Sequence, residues 1–415
     1  LPARAGPLLR LARGEPLNFD PEKTIATGHQ PVLLHPGLLI KFQLAWHKAK
    51  QEKKNVIFLI ADHDEGAGEY LLPELHRDRL NIQKHRLCDA GIYARSQLNS
   101  DSVIRSMQRL IDQSPNIFEN PENVERGAQL IMGLLDCKSP AEFQRAFLRQ
   151  FFESPQLPVL LVTELCQSSS FQAFVAEIGS RSEAFRIIHN EALQEYRVSH
   201  QIKNKAQPLT DLYPGELPFW IIQDNKRIPL TTADDLQALQ GQILPRALSL
   251  SLFVRLFVAQ TFVHGTGGGR YDRIADVLLS RYYEQSAPPS PIATATLKIR
   301  ALPRFGHKGR PVSVIETDLR KIQTDPIAFL PDGHSLVEER SRILAEPTGA
   351  ARHAALLHLK QKGALLVDQV RRDLEQELEQ ARIKIKDEPA LGERAYPYFC
   401  YDEADRALAF SNLIK

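Results

Sequence analysis

The apolar and polar positions of residues 24–65 predict a strand, a helix and a second strand. Residues 24–27 are rich in β-forming side chains, and residues 28–31, Gly-His-Gln-Pro, interrupt the run as a strand-to-helix loop does. Apolar residues then recur at helical spacing over residues 37–50, with Lys41, Lys48 and Lys50 as candidates for the solvated side. Residues 55–61 are almost wholly apolar, which is typical of a parallel strand covered on both faces. The stretch therefore predicts one βαβ unit.

The next part of the chain repeats this alternation. Residues 101–152 and 171–196 show helical periodicity, and the apolar residues 159–163 between them predict a buried strand. Helices and strands that alternate in this way favour one continued α/β sheet over a separate helical domain. Residues 219–222 and 227–230 flank an Asp-Asn turn and predict a β-hairpin.

The last part of the chain is predicted to be mainly helical. Apolar residues spaced three and four apart over residues 367–385 form a short heptad-like seam, which could pack against a partner helix or the body of the protein. The predicted organisation is an α/β core with connecting elements over residues 1–330, a helical segment over 331–390 and a return to the core over 391–415.

Composition narrows the function classes. The 415 residues suffice for one large core or two smaller ones, and the net charge of +2 argues against a broad nucleic-acid-binding face. The four cysteines are far apart without a CxxC motif, so neither a disulfide framework nor a structural zinc site is indicated. A reducing cytoplasm, no membrane association and small-molecule substrates are the expectation.

Polar, histidine-bearing loops follow both strands of the βαβ unit. In open α/β sheets, ligands bind outside the carboxyl ends of the strands. The first loop offers Gly28, His29, Gln30 and His35 beside a predicted helix N-terminus, which favours a phosphate or carboxylate. The alternative is a tight turn with exposed histidines.

The second loop, residues 62–65, contains only ionisable residues. Strand alternation predicts that Asp62 and Asp64 face one ligand while His63 faces away, and Glu65 completes the group. These side chains could orient an amine, act as a base or hold a metal ion, and a solvated loop is the alternative.

A glycine-rich loop after residues 245–263 is the third candidate. It consists of His264, Gly265, Thr266, Gly267, Gly268 and Gly269, followed by Arg270 and Tyr271. Glycines let backbone amides approach an anion, although the spacing matches neither G-x-G-x-x-G nor a P-loop. Lys41 and Arg246 are further candidates for phosphate binding, with a surface role as the alternative.

These motifs and their order resemble a known family. TGHQPVLLHPGLLIKFQLA followed by FLIADHDEG, and later LPRALSLSLFVRLFVAQTFVHGTGGGRYD, are similar to the bacillithiol biosynthesis cysteine-adding enzymes. The resemblance implies a Rossmann-like, nucleotidyltransferase-like α/β core and a helical, short coiled-coil C-terminal element used for dimerisation. It also implies a ligase that joins the carboxylate of cysteine to the amine of a glucosaminyl-malate acceptor.

The resemblance also implies site residues. His29, His63 and Asp64 are the expected catalytic residues, and the remaining loop residues bind substrate or nucleotide. Amide formation needs an activated acyl group, so ATP and Mg²⁺ are the expected helpers. His29 stands where the family pattern has glutamine, and His264–Arg270 replaces a more compact turn, so the acceptor or the reaction is expected to differ.

Two other functions fit the same residues. A metal-dependent hydrolase or transferase would use His29, His35, Asp62, His63 and Asp64 as metal ligands. A noncatalytic ligand-binding protein would keep the fold without the chemistry.

Overall fold

The computed structural model describes residues 8–10, 16–18, 20–204, 206–259, 261–287, 289–306 and 309–414. The strands are β1 (Leu8–Arg10), β2 (Pro16–Asn18), β3 (Thr24–His29), β4 (Asn55–Ile60), β5 (Glu65–Gly66), β6 (Glu69–His76), β7 (Arg79–Arg86), β8 (Gly91–Ile92), β9 (Val159–Leu161), β10 (Glu216–Gln223), β11 (Lys226–Thr231), β12 (Leu244–Pro245) and β13 (Thr261–Val263).

The α-helices are α1 (Pro36–Glu52), α2 (Ser100–Gln113), α3 (Pro121–Met132), α4 (Pro140–Phe151), α5 (Val162–Leu165), α6 (Ser169–Ser180), α7 (Ser182–Ser199), α8 (Ala247–Phe253), α9 (Thr266–Arg281), α10 (Val312–Thr324), α11 (Ser335–Ala345), α12 (Ala350–Leu366), α13 (Asp368–Ile385), α14 (Glu388–Gly392) and α15 (Glu403–Leu413). A π-helical turn, Val254–Val258, continues α8. None of the described helices is both long and apolar enough to cross a membrane.

A four-stranded parallel sheet in the order β13–β3–β4–β9 lies at the centre of the fold. Both faces of β4 are buried, as its unbroken apolar sequence predicts. These strands run in the same direction, so their carboxyl ends meet at one edge of the sheet. The α/β class with a Rossmann-like parallel sheet core is therefore confirmed.

The βαβ unit forms β3, α1 and β4. Proline at the first position of α1 suits a helix start, because its missing N–H is not needed there. The ring of Phe42 on α1 packs edge-to-face on Phe58 of β4, with centroids 5.0 Å apart. This contact packs α1 on β4. Because α1 begins shortly after the end of β3, its start lies at the carboxyl edge of the sheet.

The other predicted elements differ in detail. The predicted strand at residues 159–163 ends at Leu161, and α5 begins at the next residue. The helical stretch 101–152 forms α2, α3 and α4, each begun or preceded by Ser, Asn or Pro residues that favour helix starts. The predicted hairpin forms β10 and β11, with Trp220 opposite Pro229.

The chain divides into two compact units. The first comprises residues 1–74, 82–300 and 393–415, and the second comprises residues 75–81 and 301–392. The sheet and all of the candidate site residues belong to the first unit. The domain boundaries at residues 330 and 390 that the sequence suggests stay a prediction.

The second unit contains α10 to α14, which agrees with the predicted helical C-terminal element. Part of the heptad-like seam lies inside this unit: Val367, Leu374 and Leu378 pack with Ile315 and Ile322 of α10. The seam is therefore used at least partly within the chain, and a homodimer through this segment stays a prediction.

Candidate functional site

A cavity of about 460 Å³ lies at the carboxyl ends of β3, β4 and β13. All three loops that the sequence singled out contribute to its wall. The site residues predicted from the sequence that line it are Gly28, His29, Gln30, His35, Lys41, His63, Asp64, His264, Gly265, Thr266, Gly267 and Gly268. Segments far apart along the chain thus meet in one cavity.

Two helices begin at this cavity. The first turn of α1 contributes Gly37 and Leu38, and the first turn of α9 contributes Thr266, Gly267 and Gly268. Among the described residues, no N-cap side chain hydrogen-bonds to either helix start. At α1, Pro36 has no N–H and the N–H groups of Leu38 and Leu39 donate to His35 O, which leaves the N–H of Gly37. The N–H groups in the first turn of α9 and the positive ends of both helix dipoles favour an anionic ligand.

Asp64 is the carboxylate among the described residues that line the cavity. Gln30 Nε2 donates to its Oδ2 over 2.5 Å, and Arg227 donates to its Oδ1 over 2.7 Å. Burial alone would raise the pKa of Asp64, but the hydrogen bonds from Gln30 and Glu65 N–H and the charge of Arg227 lower it below its usual value. Asp64 is therefore a fixed negative charge.

Asp62 does not face the cavity, so the alternation predicted for residues 62–64 is wrong. Its carboxylate accepts hydrogen bonds from Thr163 N at 3.0 Å and from Thr163 Oγ1 at 2.5 Å. Burial raises the pKa of Asp62 to about 6, against the effect of Thr163. His63, which was predicted to face away, lines the cavity with Asp64. The strand ends at Ile60 and the chain then turns, so the period of two no longer applies.

Lys41 is a buried cavity residue, and its assignment to the solvated side of α1 is wrong. The residue is 4% exposed, and its Nζ donates to Gly28 O over 2.5 Å. Burial lowers its pKa to about 7. Because this residue lies near the start of α1, its long side chain reaches along the helix to the carboxyl edge of the sheet.

The histidines of the first two loops are uncharged at neutral pH. Burial, and then the charge of Lys41, lowers the pKa of His29 to about 3. Burial also lowers the pKa of His35 and of His63 to about 4. The buried Nδ1 atoms of His35 and His63 have no hydrogen-bond partner among the described residues. These rings can exchange hydrogen bonds with a ligand, but they hold protons poorly.

Four predicted binding residues do not line the cavity. Arg246 stacks on Trp220, with its guanidinium 3.9 Å from the ring centroid, and pairs with Glu216, so it is not a surface charge. Glu65 pairs with Arg227, with 3.3 Å between Glu65 Oε1 and Arg227 Nε. Asp62 also does not line the cavity. The same is true of Gly269, which packs against Ile292. The side chain of Tyr271 lies outside the described part of the structure.

The sequence reasoning missed two cations of the cavity, Arg227 and Arg394. Arg227 lies on β11, next to the Asp-Asn turn of the predicted hairpin, and Arg394 precedes the AYPYF segment. A hairpin signal gives no indication of where the hairpin docks, so only tertiary contacts reveal these residues. Together with Lys41 they place three basic side chains around the cavity.

The metal-binding alternative does not fit this arrangement. Among the described residues, no group of three or more His, Cys, Asp and Glu side chains is arranged to hold a metal ion. Asp62 is turned to Thr163, and Asp64 is already bound by Gln30 and Arg227. These five residues therefore do not form a common ligand set.

Comparisons with known proteins add little to this picture. No protein-family model and no curated protein matches the chain. Among solved structures, the chain is similar to tyrosyl-tRNA synthetase from Archaeoglobus fulgidus, crystallised with L-tyrosine. The similarity covers 86% of this chain and 90% of that chain, with 12% sequence identity and a TM-score of 0.28. The fold class stated above rests on the sheet and helices themselves.

Proposed function

We propose that this chain is an amide-forming ligase of the cysteine-adding type. It joins the carboxylate of cysteine, or of a similar amino acid, to the amine of a small sugar-malate-like acceptor. The observation that supports the proposal is the convergence of the three loops of the family-like motifs on one cavity, with Gln30, Asp64 and Gly267 all in its wall.

The reaction needs an activated carboxyl group, which ATP supplies as a second substrate. The carboxylate oxygen would attack a phosphorus atom of ATP, so that an O–P bond forms while the bond from that phosphorus to its bridging oxygen breaks, and ADP or pyrophosphate leaves with the electron pair. The amine nitrogen then attacks the acyl carbon. A C–N bond forms, the C–O bond to the phosphate breaks, and the amine loses a proton.

The charges of the cavity suit anionic reactants of this kind. The helix starts, above all that of α9, offer backbone N–H groups, and Arg227 and Arg394 add positive charge around them. Lys41, whose pKa is lowered to about 7, adds an amine that is only partly protonated at neutral pH. Hydrogen-bond donors that are already in place lower the cost of binding developing negative charge on an acyl or phosphoryl oxygen. The fixed carboxylate of Asp64 holds Arg227 in position.

Mg²⁺ would be carried mainly by the phosphate groups of ATP, as is usual for this ion, and no group of three or more His, Cys, Asp and Glu side chains among the described residues is arranged to hold it. No step assigned to this chain depends on the metal ion.

The proposal is tested by incubating the purified protein with ATP, L-cysteine and glucosaminyl-malate and by identifying the products by mass spectrometry. The expected product is the cysteinyl amide, formed only when ATP is present. The same assay with a panel of other amino acids and amino-sugar acceptors tests whether the pocket, whose residues differ from the family pattern, takes a different substrate. Failure to form an ATP-dependent amide with any member of the panel would contradict the proposal.

A further inference from the structure

A histidine–aspartate pair forms one wall of the cavity. His264 follows β13 and lines the cavity, while Asp272 lies in the second turn of α9 and is 2% exposed. His264 Nε2 lies 3.1 Å from Asp272 Oδ2. The two atoms do not meet the geometry of a hydrogen bond, so the carboxylate acts on the ring through its negative charge. That charge favours a proton on the nearer nitrogen, Nε2, which leaves Nδ1 as the basic nitrogen.

The carboxylate of Asp272 is held in its charged form. Arg255, whose side chain is fully buried, donates to Oδ2 over 2.8 Å, Ser290 donates to the same oxygen over 3.0 Å, and Ser251 donates to Oδ1. Burial opposes ionisation of Asp272, but the charge of Arg255 and the hydrogen bond from Ser251 bring its pKa below the usual value. Asp272 therefore places a negative charge beside the imidazole of His264.

Gly268 keeps the other side of the ring open. A Cβ atom at this position would lie 2.8 Å from His264 Nδ1, closer than real Cβ contacts allow. Both residues line the cavity, so the absent side chain leaves space for a ligand atom beside the basic nitrogen. The cavity histidines of the first two loops have no carboxylate paired to a ring nitrogen at such a distance among the contacts of the described residues.

We propose that His264 accepts the proton that the acceptor amine loses as it attacks the activated carboxyl carbon, and that Asp272 positions His264 for this step. The inference rests on the proposed ligase function. The N–H bond of the amine breaks as the C–N bond forms, the proton moves to Nδ1, and the C–O bond to the phosphate leaving group breaks. Nδ1 then returns the proton to solvent.

Reaction rates measured with two acyl acceptors, hydroxylamine and the amino sugar, distinguish the proton transfer to His264 from the activation of the carboxyl group. Hydroxylamine traps an activated cysteinyl group as the hydroxamate, and it is an uncharged nucleophile at neutral pH that needs no protein base. The His264→Gln variant should form the hydroxamate at a rate within about threefold of the wild-type rate. Its rate with the amino-sugar acceptor should fall by about 100-fold or more, the usual contribution of a general base.

The Gly268→Ala variant provides a second test that leaves the histidine in place. It should show the same selective loss, because the new methyl group covers Nδ1. Gly392→Ala, in the second unit and with open space around the added Cβ, is the control and should leave both rates unchanged.

The position of the proton is measured directly by ¹⁵N NMR of the histidine side chains. In the wild-type protein, His264 should show a protonated Nε2 and an unprotonated Nδ1, and Asp272→Asn should change this pattern. A protonated Nδ1 in the wild-type protein would overturn the assignment. Equal losses of hydroxamate and amide formation in His264→Gln, or no loss of either, would overturn this step alone. Absence of any amide from the wild-type protein would instead overturn the proposed function, and this step with it.

Discussion

Gln30 donates a 2.5 Å hydrogen bond from its side-chain amide to Asp64 Oδ2, and so links the loops that follow β3 and β4. Arg227 binds the other oxygen of the same carboxylate and ties the β10–β11 hairpin to these loops. Three separate elements are therefore held together by one carboxylate at the edge of the cavity.

Replacing Asp64 by alanine should remove most of the activity while the fold persists. The substitution leaves Gln30 and Arg227 without their common acceptor, and neither is then held in the cavity wall. We expect a loss of about 100-fold or more in amide formation and a decrease of about 1–2 kcal/mol in the free energy of unfolding, measured with urea.

Glu52→Ala is the matched control for this change. Glu52 also pairs with two cations, Lys48 and Lys54, but at the far end of α1. It should leave the activity unchanged. Full activity in Asp64→Ala would contradict the role of the carboxylate, and collapse of the fold would indicate a purely structural one.

Lys41→Met should change the pH dependence of stability. The pKa of Lys41 is lowered from 10.5 to about 7 in the folded protein, so between these values the unfolded chain binds more protons than the folded one. Wild-type stability should then rise with pH across this window, with a slope of up to about 1.4 kcal/mol per pH unit from this residue. The Lys41→Met variant lacks this contribution. Its stability relative to that of the wild-type protein should therefore be highest below pH 7.

The measurement is urea unfolding of both proteins at a series of pH values from 6 to 10. Lys48→Met, on the same helix but half-exposed beside Glu52, is the control and should follow the wild-type curve. Parallel curves for the wild-type protein and Lys41→Met would show that Lys41 is charged in the folded state throughout this range.

Gly267→Val should weaken binding of ATP without unfolding the protein. The Cβ of a residue at this position meets no atom within 4 Å, so the fold has room for it, but the side chain would project at the exposed start of α9. Calorimetry should show at least about tenfold weaker binding of ATP. Gly392→Val, which also has open space, should bind ATP as the wild-type protein does. Unaltered affinity in Gly267→Val would argue against the glycine loop as an anion site.

Gly127→Ala should destabilise the first unit. The added Cβ would lie 2.1 Å from Cβ of Phe399, a buried residue packed against α3. We expect a net loss of about 1–3 kcal/mol in the free energy of unfolding, even though alanine favours helix formation.

Gly133→Ala, at the end of the same helix, is its control. Its Cβ would make only ordinary contacts at 3.5 and 3.6 Å, so the stability should be unchanged or slightly higher. Equal stabilities of the two variants would contradict the packing of Phe399 on α3.

The sequence was sufficient to predict the βαβ unit and its parallel strands, because local periodicity and the unbroken apolar run of β4 determine them. It also identified the loops that line the cavity, since the ends of parallel strands meet at one edge.

Contacts between distant residues could not be predicted in this way. Periodicity assigned Lys41 to solvent, because it does not show that a cavity lies beside the start of α1. Alternation misassigned Asp62 and His63, because the strand ends before them and a turn follows. Arg227 lies 163 residues from Asp64 along the chain, and only the docked hairpin brings them together.

The most direct test of the shared cavity is a crystal structure of the protein with a non-hydrolysable ATP analogue. We expect the phosphate groups between the starts of α1 and α9, within hydrogen-bond distance of backbone N–H groups of Gly267 or Gly268 and near Lys41. Nucleotide bound elsewhere on the protein, with this cavity free of it, would contradict the account.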